Sequence, residues 1–204
     1  MSSVAGSADV GSPADVDALN AAVAEHRSAL DGVAGMLEAV QRLSTDMSAR
    51  FARGGVLYTF GNGGSAADAQ HLTGEMIGRY LRERRPLGAV SLATDASVVT
   101  CIANDYSYDE TFARQVRALA GPDDMVAGFT TSGTSPSVLA GLRAARDAGA
   151  CTIAFTGAGG TELAAACDHA FVVPSRTTAR IQEMHTLLLH LISDCVDRWA
   201  TGEE

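Results

Sequence analysis

The chain has 204 residues, and 47% of them are hydrophobic, which suits one domain with a full core. The net charge of −9 excludes the basic footprint of a nucleic-acid-binding protein. No apolar run approaches the roughly 20 residues of a membrane span, and the first residues lack the basic and apolar segments of a secretory signal. A cytoplasmic protein, binding neither nucleic acid nor membrane, is expected. All 15 basic residues are arginine. Without lysine no side-chain Schiff base can form, which excludes lysine-dependent aldolase, transaldolase and pyridoxal-phosphate chemistry. Cys101, Cys151, Cys167 and Cys195 are scattered with no C-x-x-C spacing, so they read as reduced, buried thiols.

In chain order, residues 1–14 are small and polar, with little to bury, and are expected to form a disordered tail ahead of one domain over 15–200. From Val16 to Arg53 apolar residues step by three and four, with Asp31-Gly32 as a candidate break. Val56–Phe60 reads as a buried strand, and Ser65–Arg82 as a helix with Ser65 as its N-cap. A strand at Gly88–Leu92 follows, then helices at Asp95–Asn104 and Asp109–Ala120. Further strands are expected at Asp124–Phe129, Cys151–Thr156 and Ala170–Val173. Between and after them come helices at Ser137–Ala148, Glu162–Ala166 and Thr178–Ala200. Strands alternating with helices through short links predict a parallel sheet covered on both faces.

Two loops carry chemistry. Gly61-Asn62-Gly63-Gly64-Ser65 follows the first strand and opens a helix. Its glycines allow close backbone approach, and the helix end favours an anion such as phosphate. Thr130-Thr131-Ser132-Gly133-Thr134-Ser135 repeats that arrangement with five hydroxyls. Ends of strands are where open α/β sheets bind ligands, although Ser and Thr also serve simply as helix caps. Neither loop has the lysine of a P-loop, and Gly157–Gly160 is not a dinucleotide fingerprint, so no nucleotide cofactor is expected. His71 and Glu75, at i and i+4, share a helix face behind the first loop. Glu75 could equally pair with Arg79. Arg79, Arg82, Arg84 and Arg85 read as a solvated helix end or as help for a phosphate or a neighbouring subunit. His26, His169 and His185 read as structural. His190 lies among leucines and needs a partner.

Gly61–His71, Glu75, Ile102-Ala103-Asn104-Asp105, Thr131–Ser135, Arg180-Ile181-Gln182-Glu183-Met184-His185 and His190, in that order, resemble the sedoheptulose-7-phosphate (phosphoheptose) isomerases of the sugar-isomerase (SIS) domain family. The likeness runs from about residue 16 to residue 199. Family members often carry Ser and Asn where this chain has Thr130 and Thr134, and some carry Asp at the position of Ala179. The resemblance implies a flavodoxin-like, parallel, five-stranded sheet with helices on both faces, and N-terminal helices for oligomerisation. It also implies a homotetramer with active sites at subunit interfaces, and conversion of sedoheptulose 7-phosphate to D-glycero-D-manno-heptose 7-phosphate.

Such a reaction needs a base, an acid and a grip on the distant phosphate. Glu75 is the candidate base and His190 the acid. Ser65, Thr131, Ser132 and Ser135, with Gly63 and Gly64, are candidates for holding the phosphorylated ketose at its phosphate, and Asn62 and Thr130 are further substrate-binding candidates. Asn104, Asp105 and Gln182 are candidates for its hydroxyls. In some members zinc sits at the site, and the resemblance assigns it His71, Glu75, Gln182 and His190. Eight residues along a helix are about 12 Å and about 80° of rotation, so Gln182 and His190 either come from different subunits or are not both direct ligands. A second reading is a non-catalytic SIS-fold protein that binds a partner such as a replication initiator. Those relatives lack the acid–base pair that Glu75 and His190 supply here.

Overall fold

The computed structural model of the chain describes residues 13–203; the expected tail at 1–14 lies outside them except for Pro13 and Ala14, which open the first helix. Helices α1 (Pro13–Ala34) and α2 (Leu37–Ala52) precede β1 (Leu57–Gly61) and α3 (Gly64–Ile77). Next come β2 (Ala89–Ser91), α4 (Ala96–Asp105), a 3₁₀ turn at Tyr108–Glu110 and α5 (Thr111–Leu119). The chain continues through β3 (Met125–Thr130), α6 (Pro136–Asp147), β4 (Cys151–Gly157) and α7 (Thr161–Ala165). It closes with β5 (His169–Val173) and α8 (Thr178–Thr201).

Two boundaries differ from expectation for physical reasons. The first break falls at Gly35-Met36, not at Asp31-Gly32. Gly32 lies inside α1, where a Cβ would sit 2.3 Å from Pro174 Cγ, so this glycine serves close packing and not a helix end. Helix α3 stops at Ile77, well short of Arg82, and the Gly78 N–H closes it on Gly74 O. The chain then folds back, so Arg79–Arg85 is not a solvated helix end. The Arg84 side chain is wholly buried against Asp197 of α8, Nε to Oδ1 at 2.7 Å. Its other nitrogens donate to Glu75 O and Met76 O at 2.6 and 2.9 Å, satisfying carbonyls at the end of α3. Arg82 pairs with Asp194 at 2.6 Å, and Arg79 pairs with Glu83, not Glu75.

All strand pairs are parallel, in the order β2-β1-β3-β4-β5. This is the flavodoxin-like order, whose direction of winding switches between β1 and β3. β1, β3 and β4 are buried along their whole lengths, as strands covered on both faces must be. One face packs Leu57, Met125, Phe129 and Ile153 under α1, α2, α3 and α8. The other packs Tyr58, Phe60, Val126 and Ala154 under α5, α6 and α7.

His185 lies wholly buried in α8, edge-on to Phe129 and Phe155 with centroids 5.8 Å away. Its Nε2 is 3.5 Å from Thr156 O. Burial pushes its pKa down to about 4 from 6.5. Between those two values the unfolded chain takes up a proton that the folded chain excludes. Stability is therefore full above pH 6.5 and falls with acid towards pH 4, by on the order of 3 kcal/mol. Urea unfolding at pH 7 and pH 4.5 should show the drop, and His185→Leu should flatten it.

Candidate active site

The C-terminal ends of β1 and β3 part at the switch point and open a cleft of about 310 Å³. Asn62, Gly64, Ser65, Thr130, Thr131, Ser132, Ser135, Thr178 and Gln182 line it, with Phe129 at its floor. Three helices, α3, α6 and α8, begin here, and no side chain caps any of them. Their positive ends therefore converge on a hydroxyl-lined space that suits an anion. Ser65 is not the cap that its type suggests. Gly63 takes that position with φ of 57°, a conformation that favours glycine, and turns the chain early enough to place Ser65, buried, in the cleft wall.

The two loops are tied to each other. Asn62 Nδ2 donates to Ser135 Oγ and Ser137 Oγ at 2.9 and 3.0 Å, and Tyr108 OH donates to Asn62 Oδ1 at 2.7 Å. Within the second loop, Ser132 Oγ accepts from Thr134 N–H at 3.2 Å, and Gly133 holds φ of 74°. Ser137, Tyr108 and Thr178 escaped sequence reasoning. Thr178 had a usable signal, a hydroxyl at a helix start, whereas nothing local marks Tyr108.

From this cleft α3 and α8 run side by side in the same direction. Gly64 lies against Gln182, where a Cβ would come within 2.4 Å of Nε2. One turn on, Thr186 Oγ1 donates to Asp68 Oδ1 at 3.1 Å. Another turn on, His190 Nε2 is 3.2 Å from His71 Nε2, which in turn is 3.0 Å from Glu75 Oε1. Tyr80 stacks on His190 with centroids 5.2 Å apart. Burial lowers the pKa of His190, His71 lowers it further, and Glu75 acts in the opposite sense, so the surroundings favour the neutral ring.

The structure thus brings together three of the four expected metal ligands. Donor atoms of His71, Glu75 and His190 lie within 4.8 Å of one another. Ligands about 2.0 Å from a tetrahedral zinc would be about 3.3 Å apart, so the 3.0 and 3.2 Å separations fit that ion. Gln182 is two helical turns back, in the cleft wall. Asn104 and Asp105 are exposed at the end of α4, bonded to each other at 2.8 Å, and are not among the cleft residues. His26 pairs with Glu183 at 2.7 Å and His169 with Asp46 at 3.2 Å, away from the cleft lining. Cys101 is exposed, contrary to the expectation of buried cysteines; Cys151 is buried and the other two are partly so.

A parallel sheet wound in this order, with hydroxyl-rich loops at its switch point, is the architecture of a SIS domain, and that family matches residues 23–157. A phosphoheptose isomerase of Solidesulfovibrio magneticus is 51% identical over 162 residues, covering 79% of each chain. One of Roseiflexus sp. is 46% identical over 183 residues, covering 90% of this chain and 91% of its own. The solved structure of a phosphoheptose isomerase from Francisella tularensis superposes with a TM-score of 0.86 at 32% identity, over 90% of this chain and 98% of that one. That from Neisseria gonorrhoeae gives 0.83 at 39% identity, over 89% and 97%. The chain belongs to the phosphoheptose isomerase family.

Proposed function

We propose that this chain isomerises sedoheptulose 7-phosphate to D-glycero-D-manno-heptose 7-phosphate. The observation that carries the reading is the spacing of the two groups along α3 and α8. From Gln182 in the cleft to His190 is eight residues of one helix, about 12 Å. An extended seven-carbon sugar phosphate, built of bonds of about 1.5 Å, reaches roughly 10 Å from phosphorus to C1. With its phosphate among Ser65, Thr131, Ser132, Ser135 and the three helix ends, its carbonyl end meets Glu75, His71 and His190. Asn62, Gly63, Gly64 and Thr130 shape that phosphate site.

Moving the carbonyl from C2 to C1 requires a proton to leave C1 and another to reach C2, through an enediol. Glu75 takes the C1 proton and returns it to C2. Its Oε1 faces His71, so Oε2 is the oxygen assigned to the transfer. His190, held neutral, exchanges a proton between O2 and O1 as general acid and base. Gln182 holds sugar hydroxyls, and Asn104 and Asp105 are assigned to hydroxyls as well. Zinc is the rival role for the same groups: held by His71, Glu75 and His190, it would supply Lewis-acid polarisation of the carbonyl in place of proton exchange by His190. We assign Gln182 of the same chain to substrate and not to that ion.

We further infer a cytoplasmic homotetramer with sites at subunit interfaces. The exposed row of Val16, Leu19, Val23 and Leu30 on α1 supports burial against another copy. A partner-binding protein without catalysis has no use for a base and an acid set this close together. Gly64→Ala should push Gln182 out of the cleft wall and raise KM about tenfold, a loss of about 1.4 kcal/mol, with kcat changed less; steady-state kinetics checks it. The direct test is incubation with sedoheptulose 7-phosphate, followed by NMR for an aldose phosphate, with and without a chelator. Turnover is expected, and its absence contradicts the proposal. Full turnover with metal far below one ion per chain removes zinc from it.

A further inference from the structure

A second group of metal-ligating side chains lies at the opposite end of the sheet. Cys151 begins β4 and His169 begins β5, whereas the cleft opens at the other ends of the strands. Seven residues of strand put about 20 Å between the two ends of β4. Asp46 of α2 reaches both: its Oδ2 is 3.4 Å from Cys151 Sγ and 3.2 Å from His169 Nε2. All three donor atoms lie within 4.8 Å of one another.

We propose that Asp46, Cys151 and His169 form a binding site for a thiophilic divalent cation of the zinc type, separate from the active site. A tetrahedral zinc with oxygen and nitrogen near 2.0 Å and sulfur near 2.3 Å has edges of about 3.3 Å for O–N and about 3.5 Å for O–S. The separations already present match those edges, so an ion can enter with little movement. One thiolate, one imidazole and one carboxylate is a donor set that selects zinc over magnesium or calcium. Arg50 Nε donates to Asp46 Oδ1 at 3.0 Å, which leaves Oδ2 for the ion and orients the carboxylate as an outer partner does.

The local charge also allows a cation. Burial pushes the Cys151 thiol up to about 12, and Asp46 and Asp168 act in the same sense against the Arg50 guanidinium, so a thiolate here needs a cation beside it. Asp168 is itself fixed by Thr152 N–H and Oγ1 at 2.8 Å. Without a cation the thiol stays protonated and donates to Asp46. With one, the thiol proton leaves to solvent and sulfur binds as thiolate. His169 and Asp46 are partly exposed, so ion and water have access, and water completes the coordination. The ion would tie α2 to the starts of β4 and β5.

The test is titration of the chelator-stripped full-length protein with Co2+, read by the near-ultraviolet thiolate-to-cobalt charge-transfer band. The His71, Glu75 and His190 group has no sulfur and cannot produce it. The band should appear in wild type, His190→Ala and Cys101→Ser, and be lost in Cys151→Ser. Affinity should fall at least tenfold in His169→Gln and in Asp46→Asn. No band in wild type, a band unchanged by Cys151→Ser, or one lost in Cys101→Ser overturns the site. So does full affinity in both His169→Gln and Asp46→Asn, which decides the matter even if the Cys151 variant does not fold.

Discussion

Glu75→Gln is expected to lower kcat for sedoheptulose 7-phosphate by about 10²–10⁴-fold, the usual worth of a positioned general base. The amide keeps the size of the carboxylate and can still face His71, so folding should be intact and KM within a few-fold. His190→Ala should give a loss of similar size, because it removes the group that sits 3.2 Å from His71 and stacks on Tyr80. The two losses should not add in the double variant, since both residues serve one proton transfer and groups that act as a unit are not additive. Full activity in both single variants contradicts the assigned roles.

Asp197→Ala should destabilise the fold by about 3–5 kcal/mol, because it leaves the Arg84 charge buried and unpaired. For a chain of this length that is a fall in Tm on the order of 10 °C. Both side chains of the pair are wholly inaccessible, and Asp197 Oδ2 also accepts the Leu81 and Arg82 N–H groups at 2.8 and 2.9 Å. Exposed Arg79–Glu83 is the internal control, worth at most about 1 kcal/mol. Burial pushes the Asp197 carboxyl up, but the hydrogen bonds from Arg82, Arg84 and Leu81 outweigh it and hold the pKa below the usual range. This contribution is therefore present above the ordinary carboxylate value and is lost as pH falls through the depressed one. Joint replacement, Arg84→Met with Asp197→Leu, should recover much of the loss, since no charge is then stranded. The same latch holds the backbone of Glu75 through Arg84 Nη2, so Asp197→Ala should also cost activity. Calorimetry and kinetics on the same preparations read both effects.

Elements with a clean period were legible in the sequence. All five strands lie within about two residues of expectation, because central strands are continuous apolar runs between turn residues. The end of α3 was not, although Gly78 is an ordinary helix stop. Arg79–Arg85 contains no further breaker, and what turns the chain is a buried ion pair with a residue 113 positions away. Gly32 misled in the opposite sense: a glycine needed for contact with Pro174 looks like a helix break when only its neighbours in sequence are known.

The site shows the same division. His71 and Glu75 declare themselves at i and i+4, and the two hydroxyl loops declare an anion site. Their arrangement is not local information. The matching of Gly64 with Gln182, Asp68 with Thr186 and His71 with His190 depends on α3 and α8 packing side by side. The rise of α8 alone separates Gln182 from His190 within one chain, and the packing of α3 beside it sets which groups face each other across that span.

Substrate length probes this span between phosphate site and acid–base pair. The kcat/KM for sedoheptulose 7-phosphate should be compared with that for fructose 6-phosphate, a ketose one carbon shorter with the same two ends. A misplacement of about 1 Å at the reacting carbon can cost about 10²-fold. A preference of at least that size for the seven-carbon substrate is expected. Equal kcat/KM for the two sugars would contradict it.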